Sequence, residues 1–330
     1  MFLNLYRKCI FKLFDLYSPL RKIRAKRRVS KKKSLGYNKN YAENSIPLSE
    51  IAIKLKQAGV SRSDTIFIRT SASAARAFEG GIQSFLNELI EYITPDGNLV
   101  MSSYTFDKSP LMYLADNPVF DHEYSFDRMS LVGEIFRRMP GVLRSVHPTH
   151  SLCAYGNDAE WIVSEHHKSE NCYSRYSPFA KIYDLNGKDI SIGVFPTTIS
   201  IHYIEQFLPK NAPAFRDMMR PVMCRLNIDG EEFAQPFKVQ DIFTRYSGEY
   251  SIFNGTNAEM KKHYFGKYLD FHVSDLQLQL AAMKKLAADG LYWNSVPSKL
   301  VNVCMQYIVK PLVLKAYFEE VDGVLIPVKH

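Results

Sequence analysis

The chain has 330 residues, 46% of them hydrophobic and 13% aromatic, which is enough apolar material for a full core and excludes a disordered or low-complexity chain. Its formal net charge of +8 is uneven: residues 1–33 carry twelve Lys or Arg against Asp15 alone, so everything after residue 33 is slightly acidic. Cys9, Cys153, Cys172, Cys224 and Cys304 are scattered, odd in number and lack zinc-type spacing, which argues for a reducing cytoplasm, no structural metal and no disulfide framework.

Residues 1–20 place Phe2, Leu3, Leu5, Tyr6, Ile10, Leu13, Phe14 and Tyr17 on one helical face, and RKIRAKRRVSKKK follows. The segment is too short and too charged to span a bilayer. An aromatic amphipathic helix beside a polybasic run suits an anionic membrane surface, which is the first reading of residues 1–33. A helix packed on the body with a solvated basic tail is the second, and nucleic acid the third, disfavoured because no base-stacking module accompanies the charge.

Residues 34–44 read as a polar linker, and the hydrophobic spacing predicts a helix over 47–58, a buried strand over 65–68 and a helix over 81–93. Between strand and helix lies RTSASAAR, a small-residue loop rich in hydroxyls and backbone N–H groups, a pattern that favours a phosphate. Residues 108–127 read as a long aromatic loop, and 131–139 as an amphipathic helix.

The stretch 136–208 then holds the densest chemistry. Four of the nine histidines, His147, His150, His166 and His167, fall within it close together, and His202 follows a short apolar strand. Residues 189–194 (DISIGV) predict a buried strand, 195–198 a turn, and 200–208 a helix that places His202 near its N-terminus. His202 and Glu205, three apart, share a helix face. An imidazole there can take a proton while the carboxylate orients it or binds a cationic substrate. Further on, 217–235 predicts a β-hairpin turning at Asp229-Gly230, 273–289 a long amphipathic helix, and 296–330 an apolar extension broken by Pro311.

Several strings follow one another along the chain: IRTSASAARAFEGG, TPDGNLVM, GVLRSVHPTHS, AYGNDAEW, SPFAK, GKDISIG and TTISIHYIE. Together, over roughly residues 46–290, they resemble the aminoglycoside 3-N-acetyltransferase family. The resemblance implies a single large mixed-sheet α/β acetyltransferase fold with flanking helices, occupying residues 45–294. The amphipathic basic arm and linker (1–44) and the apolar extension (295–330) lie outside it.

The resemblance also implies transfer of an acetyl group from acetyl-CoA to an amine. On the matched positions His202 is the general base, Asp241 its orienting acid, and Glu205 a substrate carboxylate or a second orienting group. Asp241 follows Gln240, which stands where the family often has Glu. Arg69, Thr70, Ser71, Ser73, Tyr104, His147 and Ser151 are implied on the coenzyme side, with His166, Glu205 and Thr198 on the acceptor side. Arg69 stands where the family usually has His, and Arg76 where it has Gly. The expected acceptor is a small-molecule amino sugar of surface-polysaccharide or lipopolysaccharide assembly, acetylated in the cytoplasm or on the inner face of the membrane. An aminoglycoside acceptor is the alternative, and an inactive scaffold of the same fold a third reading.

Overall fold

The computed structural model describes residues 41–169, 171–194, 196, 203, 219–240, 261–289 and 310–328. The expected helices over residues 1–20 and 200–208 lie outside them.

The first helix, α1 (Ser49–Gln57), buries Ile51 and Leu55 and carries Glu50 in its first turn and Lys54 and Lys56 in its last, matching the helix dipole at both ends. Strand β1 (Thr65–Thr70) leads through α2 (Ala72–Arg76) and α3 (Gly81–Ile93) to β2 (Asn98–Ser102). Helix α3 buries Ile82, Phe85, Leu86, Leu89, Tyr92 and Ile93, the one-sided spacing that made it legible. The small-residue loop expected after β1 contains the one-turn helix α2, because the Ser71 side chain accepts from the Ala74 N–H at 3.1 Å and caps it.

The expected loop over 108–127 holds α4 (Pro110–Leu114) and β3 (Val119–Asp121). Next come α5 (Leu131–Arg137), β4 (Leu143–Arg144), β5 (Leu152–Gly156), α6 (Ala159–Val163), α7 (Pro178–Asp184) and β6 (Lys188–Ile192). The hairpin β7 (Met219–Ile228) and β8 (Glu231–Gln240) precedes β9 (Lys261–Phe265) and β10 (Leu269–Asp275). Helix α8 (Leu276–Ala288) starts three residues later than the spacing suggested. Residues 273–275 are the end of a strand buried on both faces, where helical and strand patterns look alike. The described chain closes with α9 (Lys310–Tyr317), β11 (Phe318–Val321) and β12 (Val324–Pro327).

Seven strands form the main sheet in the order β4-β5-β2-β1-β6-β10-β9. Its centre, β2-β1-β6, is parallel, and β5 and β10 flank it antiparallel. Side chains alternate across it: Ile66, Ile68, Ile190, Ile192 and Phe271 pack with α1, α3 and α5 on one face. Phe67, Val100, Leu152 and Ala154 pack with α6, α7, α8 and Tyr203 on the other. This is the mixed α/β layering expected from the sequence.

A second sheet is built around β7. All of one edge pairs with β8, from Met219↔Gln240 to Ile228↔Glu231, through a turn in which Asp229 and Gly230 both have positive φ (54° and 86°), as a two-residue hairpin requires. The other edge is shared by β3, opposite Arg225–Asn227, and by β12, at Val222↔Leu325. The C-terminal extension therefore completes this sheet, and Pro311 sits at the second position of α9, where its missing N–H costs nothing. The two sheets meet where Gln235 Nε2 donates to the His167 carbonyl (3.0 Å) and Phe237 packs on His147.

Candidate active site

In the main sheet β1 and β6 are parallel neighbours, yet the chain leaves them toward opposite faces. After β1 it runs through α3 on the first face; after β6 it reaches Tyr203, buried in the core of the second. The carboxyl ends of strands at such a divergence are the usual binding position in an open α/β sheet. Thr70, Ser71, Ser73 and Gly193 stand at this edge. Gly193 has φ 61°, donates to the Asp270 carbonyl (2.9 Å), and leaves no room for a side chain: a Cβ there would lie 2.7 Å from Ala74 Cβ.

The hydroxyls of the loop are already engaged locally. Thr70 Oγ1 donates to the Ser71 carbonyl (3.3 Å), Ser71 caps α2, and Ser73 Oγ accepts from the Tyr41 N–H (3.2 Å). All three remain half-buried at the edge, as does Arg69. Arg69 Nη2 donates to Asp189 Oδ1 and Ser191 Oγ, both at 2.9 Å, with the Asp189 carboxylate fully buried. Arg76, the other departure from the family pattern, pairs loosely with Glu43 at 3.7 Å on the surface.

Arg69, Ser191, His272 and Lys262 occupy one row across β1, β6, β10 and β9, on the face that carries Phe67. His272 is 6% exposed, its Nδ1 has no hydrogen-bond partner among the described residues, and burial lowers its pKa to about 4. The sequence reading missed Asp189 and His272. The available signal was a polar residue inside a strand of buried character, which calls for a partner.

The histidine-rich stretch folds into a sealed polar layer between the sheets. His147 has no exposed surface; its Nδ1 accepts from the N–H groups of Thr149 (3.2 Å) and His150 (3.0 Å), and its ring lies 4.7 Å from that of His166. Burial, reinforced by the neighbouring histidines, pushes its pKa well below the ordinary histidine value. His166 bonds on both nitrogens: Ser145 Oγ lies 2.8 Å from Nδ1, and the Cys172 carbonyl lies 3.2 Å from Nε2. The Cys172 carbonyl can only accept, so in the neutral ring Nε2–H donates to it and Nδ1 accepts from Ser145 Oγ, which itself accepts from the Leu152 N–H. Burial lowers its pKa to about 3.

Ser151, also sealed, donates to the Ser103 carbonyl (2.6 Å) and accepts from Arg144 Nε (3.1 Å). Arg144, unremarked in the sequence reading, is buried beneath them. It reaches the carbonyls of Ser103, His122 and Ser125 and stacks 4.9 Å over Phe120; burial lowers its pKa to about 10, so it stays charged. Tyr104 stacks on Phe106 (5.4 Å) with its edge to His150, and burial raises its pKa well above the tyrosine norm. The thiols of Cys153, Cys172 and Cys224 are buried with raised pKa values, which disfavours a thiolate nucleophile among them.

Thr198, His202, Glu205 and Asp241 lie outside the described residues. Of the chain around them, the Tyr203 ring packs 4.8 Å from Tyr183 in the second-face core, and Met219, opposite Gln240 in the hairpin, packs against the same cluster. Among the described residues no group of three or more His, Cys, Asp or Glu is placed to hold a metal, and no helix is long and apolar enough to cross a membrane.

Helices on both faces of a mixed sheet, with a topological switch point between β1 and β6, define a layered α/β fold. The family described as Aminoglycoside 3-N-acetyltransferase matches residues 67–288, and the chain belongs to it. It is 26% identical over 172 residues to the SPbeta prophage-derived aminoglycoside N(3')-acetyltransferase-like protein YokD of Bacillus subtilis, covering 47% of this chain and 63% of that protein. It is 27% identical over 164 residues to aminoglycoside N(3)-acetyltransferase III of Pseudomonas aeruginosa, covering 46% and 60%. The chain thus spans less than two thirds of the length of these curated relatives. The solved structure of AAC-IIIb with CoASH superposes with a TM-score of 0.62 at 20% identity, over 77% of this chain and 99% of that one, a likeness of fold.

Proposed function

We propose that the chain is an acetyl-CoA-dependent N-acetyltransferase acting on an amine-bearing sugar, with an aminoglycoside as first acceptor. Family membership supports the chemistry, and the names of the relatives support the acceptor. The preference for a surface-polysaccharide acceptor, drawn from the basic arm and apolar tail, gains nothing from these relatives and takes second place. The transferase body is residues 45–294.

The observation that carries the reading is the topological switch point between β1 and β6, where Gly193 at the end of β6 packs against Ala74 and donates to the Asp270 carbonyl. Arg69, Thr70, Ser71 and Ser73, half-buried along the switch-point edge, border the acyl donor. An amine attacks a thioester only as the free base, so a group must accept its proton near neutral pH. His147, His166 and His272 are poor bases there, since burial depresses all three. His202 is assigned the base, Asp241 its orienting acid, Glu205 the attraction of a cationic acceptor, and Thr198 a hydrogen bond to the thioester oxygen. His147, Ser151, His166 and Tyr104, sealed between the sheets, fix the wall of the site.

Coenzyme A thiol release with acetyl-CoA and an aminoglycoside tests the reading. His202→Ala should lower kcat by about 10²–10⁴-fold with its melting temperature unchanged. Full turnover in that variant would remove His202 from the mechanism; no turnover by the parent chain with any amine would leave the scaffold reading. The arm is tested separately, by sedimentation of the full chain and of residues 34–330 with vesicles containing anionic lipid; equal sedimentation removes the membrane role.

A further inference from the structure

A cleft of about 900 Å³ opens beside Gly193. One wall is Tyr41 and α1, with Ile46, Glu50 and Lys54. The other is the β9–β10 turn, with Phe265, Gly266, Lys267, Tyr268 and Leu269. It adjoins the β1–β6 switch-point edge at Gly193 through shared residues. Tyr41 and Leu269 line the cleft, and both would touch a Cβ at Gly193, at 3.1 and 3.0 Å. Tyr41 Oη donates to Asp270 Oδ1 (3.2 Å), the residue whose carbonyl receives the Gly193 N–H.

The chemistry of the lining is specific. Ile46, Phe265 and Leu269 make an apolar floor. Tyr268, 73% exposed, offers a ring face far more open than a tyrosine packed for stability. Lys54 and Lys267 bring two ammonium groups and make no ion pair among the described residues. The carboxylate facing them, Glu50, is held by the Gly266 N–H at 2.6 Å, which fixes the turn against α1. Aromatic faces beside paired lysines suit a flat ring joined to phosphate, and the volume falls in the usual small-ligand range of about 300–1,000 Å³. A polycation gains nothing from such a rim.

We propose that this cleft binds the nucleoside-diphosphate end of a second acceptor class, an amino sugar carried on a nucleotide, and presents its amine to the transfer centre. The proposal rests on the acetyltransferase reading above. In the transfer, the amine nitrogen bonds to the acetyl carbon of acetyl-CoA and the carbon–sulfur bond breaks. The amine gives up one proton, and coenzyme A leaves as the thiol.

The test uses the full chain with uridine diphosphate as binding probe, and with UDP-glucosamine, free glucosamine and an aminoglycoside as acceptors. Calorimetry should show UDP binding, abolished by the Lys54→Glu/Lys267→Glu double variant and restored by the Lys→Arg pair. The charge-reversed variant should raise KM for UDP-glucosamine about tenfold or more, with KM for acetyl-CoA and for free glucosamine unchanged. A rise in the acetyl-CoA KM instead assigns the cleft to the donor's own phosphates and overturns the proposal. Absence of UDP binding in a chain that releases thiol with glucosamine overturns it as well. UDP binding without thiol release from any acceptor defeats the transferase reading while the nucleotide site stands.

Discussion

Asp127 is a carboxyl that the fold buries on poor terms. Its Oδ1 accepts the N–H groups of Met129 (2.8 Å) and Ser130 (3.1 Å), but Oδ2 has no hydrogen-bond partner among the described residues, and burial raises its pKa to about 7. The folded chain therefore keeps a proton that the unfolded chain releases near pH 4, so this group's contribution to stability falls as pH rises through about 4–7. His147, His166 and His272 act oppositely. Their folded pKa values lie below the unfolded one, so the stability they contribute is complete above about pH 6.5 and is lost as pH falls. Asp127→Asn keeps the Oδ1 acceptor and removes the charge. It should raise the melting temperature more at pH 8 than at pH 5, the difference being worth about 2–3 kcal/mol. Thermal denaturation from pH 5 to 8.5 reads this, and an effect equal at both ends would contradict the buried-charge account. The sequence could point to the histidine-rich stretch because residue type is visible. It could not show that Asp127, Arg144 and His272 are sealed, because burial belongs to the fold and not to the neighbours in sequence.

At the scale of elements, what was legible followed local rules. Helix α3 came out at its observed bounds because its apolar residues recur on one face from a glycine start. Asp229-Gly230 fixed the β7–β8 turn. The same dipeptide at Asp322-Gly323, with φ 51° and 76°, turns β11 into β12, and it passed unnoticed inside a segment read as a bare apolar extension. Strand β3 was hidden because three residues carry no period and their partner, Arg225–Asn227 of β7, lies far along the chain. Gly230 allows a sharp check on the turn. A Cβ there would meet nothing within 4 Å, so any loss in Gly230→Ala is backbone strain from the positive φ. The variant should be less stable by about 1 kcal/mol in a urea titration, with the m-value unchanged. A neutral result would mean that the turn is not held in the left-handed region in solution.

At the scale of the molecule, the two sheets divide the work. The main sheet supplies the switch-point edge between β1 and β6, and the second sheet closes the histidine layer by laying Phe237 on His147 and bridging Asn171 to Lys238. The second sheet depends in turn on the chain's last described elements: Ala316, Tyr317, Phe318 and Leu325 are all buried in one cluster with Val222, Leu226 and Phe237. Burying each large apolar side chain contributes about 1.5–3 kcal/mol, so removing residues 310–330 withdraws a sum comparable with the whole stability of an ordinary domain. Because β12 meets β7 and the hairpin meets His147, that loss should travel from the tail to the histidine layer while the first-face core, which touches neither, persists. Hydrogen exchange on the truncated chain should then show protection lost in residues 219–240, 145–151 and 166–172 but retained in 65–70 and 81–93. Uniform loss would mean that the sheets unfold as one unit, and unchanged protection in 219–240 would mean that the tail does not hold the second sheet.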